Sequence, residues 1–246
     1  MSETQPTYDR IGVTYSTQRR PDPRIAAQIH AALSNARTVL NVGAGTGNYE
    51  PSDRQVTALE PSAEMIAQRP ASSAPVVQGH AEDLPFADNS FDAAMAVLTV
   101  HHWSDQPTGL AEMRRVAKGP VVIFTFDPDC HEGWLGDYLP ELAALDAQIM
   151  PPLSLYGEVL GPVDIITVPV PADCTDGFLA AYWRRPEAYL DPRVRSGISS
   201  FWKVPNVDTA MAQLALDLET GEWHRRYGHL LDLDEIDAGY RLVVTK

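Results

Sequence analysis

The sequence predicts an α/β fold, a doubly wound and mostly parallel sheet of seven strands with helices on both faces. Three observations predict it. Short apolar runs alternate with helical stretches along most of the chain, as they do in parallel sheets. The run "TVL" feeds directly into the glycine-rich "NVGAGTG" at 41–47, a strand entering a tight loop. The run "AAMAVLTV" is apolar without alternation, the mark of a strand covered on both faces.

The elements follow in order. A helix starts at "DPRIAAQIHAAL", where Asp22 is placed to cap, Pro23 suits the first turn, and Ile25, Ile29 and Leu33 recur at helical spacing. "TVLNVG", "RQVTALEP" and "APVVQGHA" read as the first three strands, with the short helix "SAEMIAQR" between the second and third. "AAMAVLTV" is a fourth strand, "DQPTGLAEMRRVAKG" an amphipathic helix with Leu110, Met113 and Val116 inward, and "PVVIFTFD" a fifth strand. The segment "WLGDYLPELAALDAQIM" is helical and aromatic. "DIITVPV" alternates as a strand, helices are expected near 177–190 and 207–220, and "YRLVVT" closes the sheet. The chain is expected to be one domain, 1–246. Its core covers about 37–129, 162–172 and 237–246, with helical additions at 1–36, 130–160 and 175–205.

Composition narrows the function. With 19 Lys and Arg against 33 Asp and Glu, the net charge is -14, and the basic residues come in pairs at most, such as Arg19-Arg20 and Arg184-Arg185. A nucleic-acid binder needs a clustered basic surface, so nucleic acid is excluded as a partner; neutral or cationic small molecules suit this surface. No apolar run is long enough for a membrane span and the polar start "MSETQPTYDR" has no signal core, so a cytoplasmic, non-membrane protein is expected. Cys130 and Cys174 are expected to be structural and buried, and no His or Cys spacing suggests a metal site.

The glycine loop carries the functional signal. Gly43, Gly45 and Gly47 form G-x-G-x-G rather than the G-x-G-x-x-G of dinucleotide sites. Pro51 leaves no room for a long helix whose dipole would meet a pyrophosphate. No Lys or Arg lies between Thr38 and Asp53 to neutralise a phosphate, which argues against a nicotinamide-dependent oxidoreductase. Glu60, ending the second strand, can accept hydrogen bonds from both hydroxyls of a ribose. A ligand with adenosine but no phosphates fits.

Four stretches, "VLNVGAGTG", "LEPSAEM", "HAEDLPFADNSFD" and "LTVHHWSD", together make the chain resemble the class I, Rossmann-like S-adenosylmethionine-dependent methyltransferases. The likeness is to the small-molecule branch that includes the ubiquinone and menaquinone C-methyltransferases. It covers roughly 39–126, with weaker similarity in "YSTQRRPDPRI" and "GYRLVV". The resemblance implies an antiparallel last strand, and helical additions that cap an acceptor side. It implies S-adenosylmethionine as cofactor, with transfer of its methyl group in line to an oxygen, nitrogen or carbon of a small-molecule acceptor, leaving S-adenosylhomocysteine. By the same resemblance Gly43, Ala44, Gly45 and Gly47 back the methionine part, with Asn41 at its amino end. Glu60 meets the ribose, followed by Pro61 and Met65, and Ala81 and Glu82 lie beside adenine. Leu98 belongs to the wall "VLTVHHW" between cofactor and acceptor, and Tyr15 and Arg19 close over the methionine carboxylate. The chain departs from the family at Asn41, where an acidic residue is common, and at His80, where an aspartate is common.

Two readings stay open for several residues. His101 and His102, neighbours at a strand end, point in different directions, and one of near-neutral pKa is placed to take a proton from a hydroxyl acceptor; alternatively one caps the helix near Ser104 or Asp105 while the other packs on Trp103. Arg19 and Arg20 are cofactor ligands or a solvated pair. The aromatic residues Trp134, Tyr138, Tyr156, Tyr182, Trp183, Phe201 and Trp202 are core or line an acceptor pocket. The alternative function is a protein of the same fold that binds S-adenosylmethionine or S-adenosylhomocysteine without methyl transfer.

Overall fold

Asp22 begins the first helix as its sequence position requires, its carboxylate accepting the N–H of Arg24 at 3.0 Å. Helix α1 (Pro23–Ala32) has proline in its first turn and buries Ile25 and Ile29. In the computed structural model, which describes residues 19–130 and 133–246, the chain then alternates strand and helix. The elements are β1 (Thr38–Val42), β2 (Gln55–Glu60), α2 (Ala63–Ala67), β3 (Val76–Gln78), β4 (Ala93–Val97), α3 (Gln106–Val116) and β5 (Val121–Phe126). After them come α4 (Leu135–Tyr138), α5 (Glu141–Ile149), α6 (Leu153–Leu160), β6 (Val163–Thr167) and β7 (Val170–Pro171). The chain closes with α7 (Pro192–Ser196), α8 (Val207–Thr220), α9 (Glu222–Tyr227), β8 (Glu235–Ile236) and β9 (Tyr240–Thr245).

The main sheet has seven strands in the order β3-β2-β1-β4-β5-β9-β6. The first five are parallel, and β9 runs antiparallel between β5 and β6. Strand order therefore reverses between β1 and β4, the place where doubly wound sheets open a crevice beyond their carboxyl ends. The period of two sorts the side chains cleanly. Val39, Met95, Val122, Phe124 and Leu242 pack on one face against α1, while Leu40, Ala94, Ala96, Ile123 and Val243 pack on the other against α3 and α6. The helical residues beyond β5 form a third apolar cluster around Trp134, Tyr189, Leu214 and Trp223.

Four details differ from the sequence expectation, each for a local reason. The fourth strand ends at Val97 because Leu98 takes a positive φ of 49°, which no strand continues. The helical segment from Trp134 is split between α4 and α5 at Leu139 and Pro140. "DIITVPV" is two strands, its second part pairing with β8 in a separate two-stranded sheet. Instead of a helix over 177–190 there are turns and one 3-10 segment, Pro186–Leu190, opening on a proline.

A buried acidic clamp joins the start of the described chain to residues 173–177. Asp22 accepts the Thr175 N–H at 3.1 Å, and Asp176 pairs with Arg19 at 2.6 Å and accepts the Tyr49 hydroxyl at 2.8 Å. Both carboxylates are inaccessible to solvent. Burial pushes the Asp22 carboxyl up, but hydrogen bonds from Arg24 and Thr175 outweigh it and hold its pKa at about 2. A folded pKa below the unfolded value of ~3.9 stabilises the fold above pH ~4 and loses that contribution as pH falls toward 2. Asp22→Asn, which keeps a capping side chain but no charge, should lower stability at pH 7 by about 2 kcal/mol. In chemical denaturation the gap to wild type should close below pH ~3.

Candidate active site

The carboxyl ends of β1, β2 and β4 form one rim, and the glycine loop folds back over it. The N–H groups of Gly43 and Ala44 both donate to the Leu59 carbonyl, at 2.9 and 3.0 Å. The Gly45 N–H donates to Glu60 Oε2 at 2.8 Å, and the Ser62 N–H to Glu60 Oε1 at 3.0 Å. Glu60 is 5% exposed, so one buried carboxylate orders both the loop and the start of α2. Gly43 and Gly45 have φ of 69° and 52°, and glycine is needed at each for a different reason. A Cβ on Gly43 would lie 2.1 Å from Thr99 Oγ1, whereas one on Gly45 would meet only the flexible end of Met65 at 3.3 Å. Gly45 is half-buried, its N–H held by Glu60, its carbonyl by Arg69 and its open face bordered by Met65.

Asn41 is 1% exposed at the end of β1. Its Nδ2 donates to Glu50 Oε1 at 3.3 Å, and its Oδ1 is buried with no hydrogen-bond partner. Glu50 is held in turn by Arg69, whose Nη2 donates to Oε1 at 2.7 Å, and by the Ala74 N–H on Oε2 at 3.1 Å. Arg69 Nη1 also donates to the Gly45 carbonyl at 3.0 Å. The expectation that no cation reaches the loop is therefore corrected. Arg69 arrives from beyond α2, 24 residues after Gly45, and is already matched by a carboxylate. Neither Glu50 nor Arg69 bore a sequence signal, because only the loop's fold brings them together.

The remaining expected residues are distributed unevenly. Ala44, Met65 and Ala81 are buried, Pro61 and Leu98 half-buried, and His80 exposed. Glu82 Oε1 accepts the Ser104 N–H and hydroxyl and the Asp105 N–H, at 2.7, 2.8 and 3.1 Å, and so orders the start of α3. Tyr15 lies outside the described residues. Cys174 is buried and Cys130 half-buried, both as free thiols.

Beside the rim a cleft encloses about 510 Å³, part of it open to solvent. Leu98, Phe126 and Tyr240 from the strand ends line it, with Arg19, His101, Phe178 and Asp146. Its rings are therefore Phe126, Phe178 and Tyr240, not the aromatic residues singled out in the sequence: Trp134, Tyr156, Trp183 and Phe201 are buried in the core and Trp202 is 54% exposed. His101 and His102 share a 3-10 turn, Val100–His102, with ring centroids 3.9 Å apart. They do not diverge as the strand reading requires, and only His101 reaches the cleft. Burial lowers the His101 pKa to about 3, helped by the charges of Lys203 and Arg19, which corrects the near-neutral expectation. The His101 imidazole is neutral at working pH.

Comparison with known proteins places this geometry. Residues 40–124 match a family model described as a methyltransferase domain. The chain is 37% identical to a protein from Anabaena variabilis described as a methyltransferase from an antibiotic biosynthesis pathway. That match covers 93% of this chain and 99% of that one, with a TM-score of 0.86. The chain belongs to the class I S-adenosylmethionine-dependent methyltransferases. It is also 39% identical over 103 residues to malonyl-[acyl-carrier protein] O-methyltransferase of Erwinia pyrifoliae, covering 39% of each chain. To demethylmenaquinone methyltransferase of Renibacterium salmoninarum it is 34% identical over 133 residues, 50% of this chain and 56% of that one. The matches thus span about 40 to 55% of the length of these curated relatives. The residues present fit the family's cofactor: the buried Asn41 Oδ1 lacks a partner, and Arg69, the cation that grips the Gly45 carbonyl, is already paired with Glu50. Among the described residues no helix is long and apolar enough to cross a membrane, and no three His, Cys, Asp or Glu side chains are grouped to hold a metal.

The two glycines should separate folding from binding. A left-handed conformation costs a non-glycine residue about 1–2 kcal/mol, and Gly43→Ala adds a steric clash with Thr99. Gly43→Ala should lower stability by about 3 kcal/mol or more. Gly45→Ala should lower it by about half as much yet bind S-adenosylhomocysteine at least tenfold more weakly. Thermal melting and calorimetry on both variants check this.

Proposed function

We propose that this chain transfers a methyl group from S-adenosylmethionine to a small-molecule acceptor seated in the cleft beside the glycine loop. The observation that carries the reading is the rim itself, where the partnerless Asn41 Oδ1 and the buried Glu60 carboxylate, which holds the Gly45 N–H of the glycine loop, lie at the ends of β1 and β2. When bound, the cofactor supplies a methyl group already activated on a sulfonium sulfur, so the protein's task is orientation, for which well-placed reactants recover about 7–11 kcal/mol. In this reading Asn41 Oδ1 accepts from the ammonium of the methionine part, and Gly43, Ala44, Gly45 and Gly47 pass behind it. Glu60 accepts the ribose hydroxyls, and Pro61, Met65 and Ala81 frame the nucleoside. Leu98 and Thr99 divide the cofactor from the acceptor, and Arg19 closes over the methionine carboxylate.

The acceptor side supports a largely apolar substrate with a hydrogen-bonding group. Leu98, Phe126, Met150, Phe178, Leu179 and Ile198 give the cleft its apolar walls, and Tyr240, His101, Ser199 and Ser200 are its neutral polar groups. Among the described residues lining the cleft, Asp146 is the one acid, and it is 7% exposed. An imidazole with pKa about 3 is too weak a base for a hydroxyl. Asp146 supplies a negative charge that suits an amine-bearing acceptor, with His101 orienting it.

Calorimetric titration with S-adenosylhomocysteine tests the reading. Wild type should bind, and Glu60→Ala should bind at least tenfold more weakly, a loss of about 1.4 kcal/mol or more. Equal affinity would remove Glu60 from the site, and no binding by wild type would refute the function. Once an acceptor is found by release of S-adenosylhomocysteine, the rate should show no ionisation step near pH 6–7 that His101→Gln removes; such a step would show that the imidazole titrates as a base.

A further inference from the structure

We infer that Glu50 is the charged partner of the cofactor's ammonium, acting through Asn41, and that Arg69 holds it in place. The inference rests on the function proposed above. Family members commonly carry an acid at position 41, and here the side chain is a neutral amide. The structure supplies the missing negative charge one hydrogen bond away. Glu50 Oε1 accepts from Asn41 Nδ2 at 3.3 Å and from Arg69 Nη2 at 2.7 Å, and the Glu50 and Arg69 side chains are only 9% and 4% exposed.

Three consequences follow from this geometry. A carboxylate can only accept, so the bond to Glu50 fixes which end of the Asn41 amide faces it and leaves Oδ1 as the outward acceptor. A buried carboxylate on the amide's donor end polarises the amide, making Oδ1 a stronger acceptor for a cation than an isolated asparagine would be. Arg69 offsets the cost of burying Glu50 while leaving the negative end of the ion pair against Asn41. An aspartate at 41 would set two carboxylates against each other at hydrogen-bond range, which explains why this chain has asparagine there. Arg69 also grips the Gly45 carbonyl, so the charge and the loop are positioned by one side chain.

The test uses two ligands. S-adenosylhomocysteine carries the ammonium, and 5′-methylthioadenosine lacks the amino-acid part. Glu50→Gln should weaken S-adenosylhomocysteine about tenfold while changing 5′-methylthioadenosine less than about twofold, a ratio that a merely structural role for Glu50 would not move. The exchange Asn41→Asp with Glu50→Gln puts the carboxylate at 41 and the amide at 50, and should restore S-adenosylhomocysteine affinity to within about threefold of wild type. If Glu50→Gln alone does not fold, as absence of 5′-methylthioadenosine binding would reveal, the double variant carries the test. A parallel loss of both ligands in folded Glu50→Gln, or a double variant that binds 5′-methylthioadenosine but not S-adenosylhomocysteine, or that does not fold, overturns the inference. Wild type failing to bind S-adenosylhomocysteine would instead refute the function beneath it.

Discussion

Everything at the rim depends on how closely the exits of β1 and β4 approach each other. Thr99 lies where a Cβ on residue 43 would be, so only glycine lets the chain leave β1 there, and it leaves with a positive φ. That turn carries Ala44 and Gly45 over β2, where Leu59 and Glu60 accept their N–H groups. Leu98 takes its own left-handed conformation one residue before Thr99, and turns the end of β4 into the cleft wall. Non-glycine residues in such conformations cost about 1–3 kcal/mol each and persist where packing over-determines them, as the Leu98 N–H bond to Phe124 at 2.8 Å does here. Loop, nucleoside side and cleft are thus consequences of one tight crossing at the point where strand order reverses.

A second constraint is the matching of buried charge. A chain with net charge -14 carries several acids in its interior, and each finds donors. Asp22 is met by Arg24 and Thr175, Asp176 by Arg19 and Tyr49, Glu50 by Arg69 and Ala74, and Glu60 by Gly45 and Ser62. Two of these clusters meet across one residue: Tyr49 binds Asp176 and Glu50 binds Asn41, so neighbouring positions tie the loop to the clamp on one side and to β1 on the other. Arg19 belongs to both clamp and cleft. The segment leading into α1 is therefore mechanically connected to the glycine loop.

The strands, the α1 cap and the glycine loop were legible because their causes are local. Apolar alternation, an Asx cap followed by proline, and glycine spacing each act within a few residues. The readings that failed depended on partners far along the chain. His101 and His102 looked divergent because the strand was read through to Val100, whereas Leu98 ends that conformation. For the aromatic residues of the additions the sequence left core and pocket wall both open; in the third cluster they pack on one another, and rings from the strand ends line the cleft.

By itself the sequence determined the doubly wound sheet and its glycine loop, which follow from periodicity and spacing, and the class of cofactor through its resemblance to the methyltransferases. Tertiary structure decided the electrostatics of the site. Glu50 and Arg69 meet Asn41 only once the loop is folded, and His101 loses its near-neutral titration only once it is buried near Lys203 and Arg19. Burial and the charges around a group set its chemistry, and both are properties of the assembled chain rather than of any stretch of it.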